Sequence, residues 1–395
     1  MNFENLRNLM QHFVKDGYAP GNNVLVFIDG KEKFRYTCGY SDVENKIPMT
    51  GMEHFNLYSC TKITTVVAAL KLFERGKFLL SDPLWEYMPE YKTMYVKKDN
   101  GEICEAKNEI KILNLFNMTA GFTYDEDTPA IEKARELTDG AMDNEVVAKC
   151  LSEEPLAFEP GERFLYSLCH DVLACFVEKV SGMKFRDYVR KNIFEPLGMD
   201  DTAFHLTDDM RKNMAAQYRF VFNKADKEKF NLVEEQKNCV AKNGYFVNIG
   251  INRGSPLQGP QYESGGAGLI STADDYIKLA AALANLGTGI NGERILAPNT
   301  VELMRTNSLT LEQMPSYDWK QLKGYGYGLG VRTLMDKITA GSLSNIGEFG
   351  WGGAAGASVF IDPSIGLSAI YLKHTVSPRE PYYMPRVRNA IYSCL

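Results

Sequence analysis

No apolar run in the 395-residue chain approaches the roughly 18 residues needed to cross a bilayer, so no spanning helix is expected. Histidine is scarce, five in all, with no His-x-x-x-His spacing and no cysteine cluster beside any of them. The usual patterns of a zinc site are therefore missing. Eight cysteines are scattered at 38, 60, 104, 150, 169, 175, 239 and 394, with no Cys-x-x-Cys pair. Dispersed single cysteines fit reduced thiols, and a cytoplasmic location is the expectation. Basic residues are not in excess; the net charge is −6, which argues against nucleic acid or an anionic membrane as partner. The first ten residues are amphipathic and lack the charged start and apolar core of a signal peptide. The Gly-rich segment Ser264-Gly265-Gly266-Ala267-Gly268 has neither the Lys-Ser/Thr ending of a phosphate loop nor the dinucleotide spacing. It reads as a tight backbone turn, and no cofactor is expected.

What is present is an ordinary globular composition, 45% hydrophobic and 24% charged, in a chain long enough for two domains. Residues 2–17 carry apolar side chains at helical period. Two strands are predicted over 23–28 and 32–39, split by Asp29-Gly30, a strong hairpin signal. A polar connection at 46–50 leads to an apolar helix that Gly76 can stop. The middle reads as short helices and loops: a hairpin tip at Asn100-Gly101, an acidic loop over 124–129, and helices over 144–151, 168–180 and 185–193. A hairpin with a charged tip is predicted from 217–221 and 229–233. A helix follows over 274–286. Strands return at 325–334, 346–351, 354–361 and 367–374, and a helix over 385–395 closes the chain. These elements predict an α+β fold in which one antiparallel sheet, built from both ends of the sequence, is flanked by terminal helices. The expected domains are 1–80 with 264–395 around the sheet, and 81–263 as a mainly helical insertion.

The stretch richest in chemistry is Tyr58-Ser59-Cys60-Thr61-Lys62 at the head of the apolar helix. Residues three apart share a helical face, so Ser59 and Lys62 can meet. An amine held against apolar surface loses part of its preference for charge and can accept a serine proton. The spacing alone is weak: about one or two Ser-x-x-Lys matches arise by chance in a chain this long. A second match, Ser181-Gly182-Met183-Lys184, reads as a break between helices. Taken alone, Ser59 is equally a helix N-cap beside a solvated lysine.

Three further motifs follow in order: Tyr166-Ser167-Leu168 about a hundred residues on, Ser264-Gly265-Gly266-Ala267-Gly268-Leu269-Ile270-Ser271-Thr272, and Trp351-Gly352-Gly353 near the C-terminus. With the Ser59 motif, this set resembles the serine β-lactamase and penicillin-binding-protein superfamily, and within it the class C β-lactamase-like (family VIII) carboxylesterases. The resemblance runs from about residue 20 to about residue 390. It implies Ser59 as the acylated nucleophile, with Lys62 and Tyr166 as the acid/base pair. A phenol beside a lysine ammonium can shuttle a proton to a leaving alcohol. Which of the two is the base stays open, because coupled groups titrate as a unit. The resemblance also implies an oxyanion hole from the backbone N–H groups of Ser59 and Ala354. Trp351, Gly352 and Gly353 would line the substrate edge, the glycines letting a substrate approach closely.

Two departures from the β-lactamase pattern bear on substrate. Leu168 stands where an asparagine amide would recognise the substrate amide, and Trp351 stands where a lysine would attract a carboxylate. Both favour a neutral, apolar acyl ester, so a small-molecule ester is the expected substrate. Transfer of the acyl group to a small alcohol is the first alternative, and β-lactamase or D-Ala-D-Ala peptidase activity the second. Cys60, His170, His205 and Met118 are expected to serve packing or surface roles, since this chemistry needs no histidine. Nothing in the sequence sets an oligomeric state.

Overall fold

The computed structural model describes residues 1–222, 244–251, 259–377 and 379–395. Both ends of the sequence feed one eight-stranded antiparallel sheet. Its order is Tyr325–Tyr327, Arg332–Leu334, Phe349–Gly350, Ser358–Asp362, Leu367–Leu372, Gly21–Ile28, Lys31–Asp42 and Ile47–Pro48. Leu25 lies opposite Ile370, which fixes the register where the two ends of the chain meet. Val24, Leu25 and Val26 are all fully buried. Successive strand side chains point to opposite faces, so both faces of this strand are covered. Helix Ala273–Ala284 packs on the central strands, and helix Glu4–Lys15 packs on both Gly21–Ile28 and the C-terminal helix Glu380–Tyr392. The Asp29-Gly30 turn carries φ values of 51° and 68°, the left-handed pair that a tight hairpin demands.

Several expected elements differ in detail. The strand expected over 325–334 is two short strands, because Gly328 and Gly330 turn the chain and Gly330 sits at φ 73°. The polar connection at 46–50 contains the edge strand Ile47–Pro48; proline is tolerated there because an edge strand need not donate on both sides. The acidic loop runs into an unforeseen helix, Pro129–Leu137, with Thr128 as its cap and Pro129 in its first turn. The C-terminal helix begins at Glu380 rather than near Pro385, which lies within its early turns. Strand Tyr218–Phe222 pairs with Gly244–Asn248 and with Thr375–Val376. The strand expected over 229–233 lies outside the described residues.

Two features of the fold bear on the site. Arg332 and Glu348 are both buried, with Arg332 Nη1 donating to the two carboxylate oxygens at 2.9 and 3.0 Å. The helix Thr61–Glu74 is apolar nearly all round and packs on Cys169–Ser181. A helix buried on every side has little freedom to shift. That makes it a rigid mount for whatever its first turn carries.

Candidate active site

Ser59 lies in a 3₁₀ turn, Tyr58–Cys60, directly ahead of the helix Thr61–Glu74. The turn is clamped from the Gly-rich segment. Strand Phe55–Asn56 pairs with Ile270–Ser271, Leu57 N–H donates to the Leu269 carbonyl at 2.9 Å, and Leu269 N–H donates to Thr61 Oγ1 at 3.0 Å. Tyr58 holds a φ of 47°, left-handed and costly for a tyrosine by about 1–3 kcal/mol. Strain of this kind persists where the surroundings over-determine it, as the clamp does here.

The glycines of 264–268 serve close approach. A Cβ at Gly265 would meet the His170 carbonyl at 2.2 Å, and one at Gly266 would meet Asp171 Oδ2 at 2.5 Å. The segment therefore lies against the start of helix Cys169–Ser181, and its Gly266 carbonyl accepts from Lys62 Nζ at 2.8 Å. Lys62 also donates to Ser59 Oγ at 3.3 Å, and its ammonium lies 4.5 Å from the Tyr166 ring centre and 5.3 Å from that of Tyr124. Tyr166 Oη accepts from Trp351 Nε1 at 3.1 Å. Its ring stacks on Tyr124 and Trp351 and meets Trp319 edge-on. Ser59, Lys62, Tyr166 and Trp351 are thus brought together.

Electrostatics at Lys62 differ from the expectation. Burial alone pushes its amine toward the neutral form, but Tyr124, Tyr166 and the Asp171 carboxylate outweigh that and hold it above its ordinary value. Tyr124 and Asp171 were missed in the sequence. Asp171 accepts from Tyr262 Oη and Ser264 Oγ, each at 2.7 Å, which leaves its Oδ2 on the Lys62 side near Gly266. Asp171→Asn removes one of the groups that keep Lys62 charged. The alkaline limb of the pH profile of kcat/KM, where the ammonium is lost, is expected to move to lower pH. An unmoved limb would exclude Asp171 from setting that charge.

Ser59, Tyr166, Trp319, Trp351, Gly352, Gly353 and Ala354 line a common cavity of about 210 Å³. A turn closed by Gly353 N–H to the Ala357 carbonyl and Gly356 N–H to the Gly353 carbonyl, both 2.8 Å, carries Ala354. Gly353 faces protein rather than open cavity: a Cβ there would sit 2.2 Å from the Leu57 carbonyl, whereas one at Gly352 meets nothing closer than 3.3 Å. Gly353→Ala must therefore push the Ala354 turn away from Ser59. A displacement near 1 Å costs about a hundred-fold in rate, so kcat for ester hydrolysis should fall by about that factor. Gly352→Ala should lose far less, and equal losses would contradict the role given to Gly353.

Leu168 is not brought to this cavity. It is buried and lines a separate cleft with Phe122 and Leu151. At φ −75° and ψ 11° the chain has already turned into helix Cys169–Ser181, so Leu168 does not share a face with Tyr166 as it would in a strand. Cys60 is buried, with its thiol pushed up to about 12 by desolvation. His170 is buried, bonded through Nε2 to the Phe116 carbonyl and pushed down to about 3 by desolvation. Neither group is available for proton transfer at neutral pH. Met118 is fully buried, and His205 faces Glu263 at 3.9 Å. Among the described residues, no cluster of His, Cys, Asp and Glu could hold a metal ion, and no helix is long and apolar enough to cross a membrane.

Known proteins of similar sequence and shape span most of the chain. Protein Rv1367c of Mycobacterium tuberculosis is 30% identical over 85% of this chain and 80% of its own. Esterase EstB of Burkholderia gladioli is 27% identical over 90% of this chain and 86% of its own. Among solved structures, EstCE1, described as a hydrolase with promiscuous acyltransferase activity, superposes with a TM-score of 0.77 at 27% identity, covering 98% of both chains. The sequence profile of the Beta-lactamase family matches residues 6–391, and with nearly its whole length so matched the chain belongs to the beta-lactamase family.

Proposed function

We propose that this protein is a serine hydrolase of the carboxylesterase type, cleaving small acyl esters through an acyl-Ser59 intermediate. The observation that carries this is the convergence on Ser59 of a charged Lys62, the Tyr166 phenol and the cavity beside Ala354. Its similarity to an esterase and to a hydrolase with acyltransferase activity supports the same chemistry.

In this mechanism the ester carbonyl enters the cavity with its oxygen toward the backbone N–H groups of Ser59 and Ala354. Donors aimed at a developing oxyanion stabilise the transition state by about 3–4 kcal/mol each. Ser59 Oγ bonds to the carbonyl carbon and gives up its proton. With Lys62 held protonated, the proton relays through Tyr166 Oη, beside which Lys62 and Trp351 Nε1 lie: the phenol oxygen takes the Ser59 proton as it hands its own hydroxyl proton to the leaving alcohol oxygen. That hydroxyl proton reaches the leaving alcohol as the acyl–oxygen bond breaks. Water then attacks the acyl carbon, passing a proton to Tyr166 Oη as the phenol proton returns to Ser59 Oγ and the acyl–Oγ bond breaks. Lys62 holds the charge balance throughout, and Trp351 supplies an apolar face in place of a cation.

Hydrolysis of p-nitrophenyl butyrate with little or no turnover of nitrocefin is the expected result. Rapid nitrocefin turnover with no ester cleavage would overturn the assignment in favour of a β-lactamase. Acyl transfer to a small alcohol uses the same intermediate. An added alcohol acceptor that raises turnover, with the new ester seen by mass spectrometry, would mark the protein as a transferase.

A further inference from the structure

Two charged side chains line the cavity beside Ser59, Arg332 and Glu380, and they are not equivalent. Arg332 is buried and is neutralised by the equally buried Glu348. Glu380 is paired with Lys373, but the pair is lopsided: the lysine side chain is 0% exposed and the glutamate 23%. Lys373 Nζ lies 3.7 Å from the centre of the Tyr383 ring, away from solvent. It bonds to Oε1 of Glu380, so the carboxylate is the half of the pair with an accessible face, and Oε2 is the oxygen left to a ligand. Among the described residues, the cavity wall thus offers a carboxylate with an accessible face and no free positive group.

The other walls are aromatic. Trp319, Trp351 and Tyr166 lie within 5.1–5.7 Å of one another, ring centre to ring centre. Helix Glu380–Tyr392 packs directly on the 3₁₀ turn Lys320–Leu322 that follows Trp319, so carboxylate and indoles belong to one enclosure. A carboxylate together with aromatic faces is the chemistry that recognises an ammonium group, through charge pairing and attraction to the ring quadrupoles. A cavity of about 210 Å³ also has room for a trimethylammonium group.

We propose, on the basis of the ester-hydrolase function proposed above, that the preferred substrate is an ester whose alcohol carries a cationic amine. Glu380 is its specificity-determining residue, and Trp319 and Trp351 are its walls. The acyl group stays small and apolar at the Ser59 end. An ester with a carboxylate on its alcohol is rejected by the same group.

The test compares two acetate esters of nearly the same shape, acetylcholine and 3,3-dimethylbutyl acetate, which differ in one positive charge. The expected kcat/KM ratio is about ten-fold or more in favour of the cation. Glu380→Gln should bring the ratio close to one, and Glu380→Asp should keep most of the preference. A ratio taken within one variant does not depend on how much of it folds, so partial unfolding cannot imitate the result. Equal turnover of the two esters by the unaltered protein would overturn this proposal and leave the esterase function standing. So would a preference that Glu380→Gln does not change. Failure to cleave these esters and p-nitrophenyl butyrate alike would overturn both.

Discussion

Ser59→Ala is expected to lower kcat for p-nitrophenyl butyrate by about 10⁴-fold or more while leaving the fold intact. Removing a nucleophile leaves only what binding and the oxyanion donors supply. The variant is structurally mild, because the Ser59 hydroxyl makes one side-chain contact, the 3.3 Å bond from Lys62, and Lys62 keeps its 2.8 Å bond to the Gly266 carbonyl. Thermal unfolding should shift by no more than the loss of one hydrogen bond, about 1 kcal/mol. Two hydroxyls on the same helix are already engaged elsewhere. Thr61 Oγ1 is fully buried and bonded to Leu269 N–H, and Thr65 Oγ1 is bonded to the Gly265 carbonyl at 2.7 Å. Retained activity in the variant would mean that the acyl group never resides on Ser59.

Tyr166→Phe should cost about 10²–10⁴-fold in kcat, the range for losing a positioned acid/base. The substitution keeps the ring, so its stacking on Tyr124 at 5.5 Å and Trp351 at 5.6 Å survives and the cavity keeps its shape. What disappears is the oxygen that accepts from Trp351 Nε1 and lies beside Lys62. The loss should therefore appear in kcat with little change in KM, since no part of the substrate-holding surface is removed. A kcat within ten-fold of the parent protein would exclude Tyr166 from proton transfer and return that role to Lys62. The second outcome would also require Lys62 to lose its proton in the resting enzyme, against the direction its neighbours impose.

The parts of this site that were legible in the sequence are those set by local periodicity or motif order. Ser59 and Lys62 could be paired because an apolar helix makes i and i+3 neighbours. Tyr166 and Trp351 could be attached to them only through the order of motifs. The sheet built from both chain ends was readable from alternating apolar residues near each terminus, and the Ala369 to Leu372 run pairs across the 21–28 strand as that pattern demands.

What escaped notice arrives from segments with no local signature. Tyr124 sits in an acidic loop that looked merely solvated, yet its ring stacks on Tyr166. Asp171 belongs to no sequence motif, while its carboxylate is buried among Tyr262, Ser264 and Gly266. Those two groups also oppose the effect of burial on Lys62. Burial against apolar surface is visible in a sequence, but the polar partners that offset it come from far along the chain. Leu168 was attached to the site by the resemblance alone, and its backbone has already turned into helix Cys169–Ser181.

The most direct test of the central claim is covalent labelling with an active-site fluorophosphonate, followed by digestion and peptide mass spectrometry. One adduct is predicted, on the peptide that contains Ser59, and it should be lost in Ser59→Ala. Absence of any adduct, or an adduct on a different residue that persists in Ser59→Ala, would contradict the account.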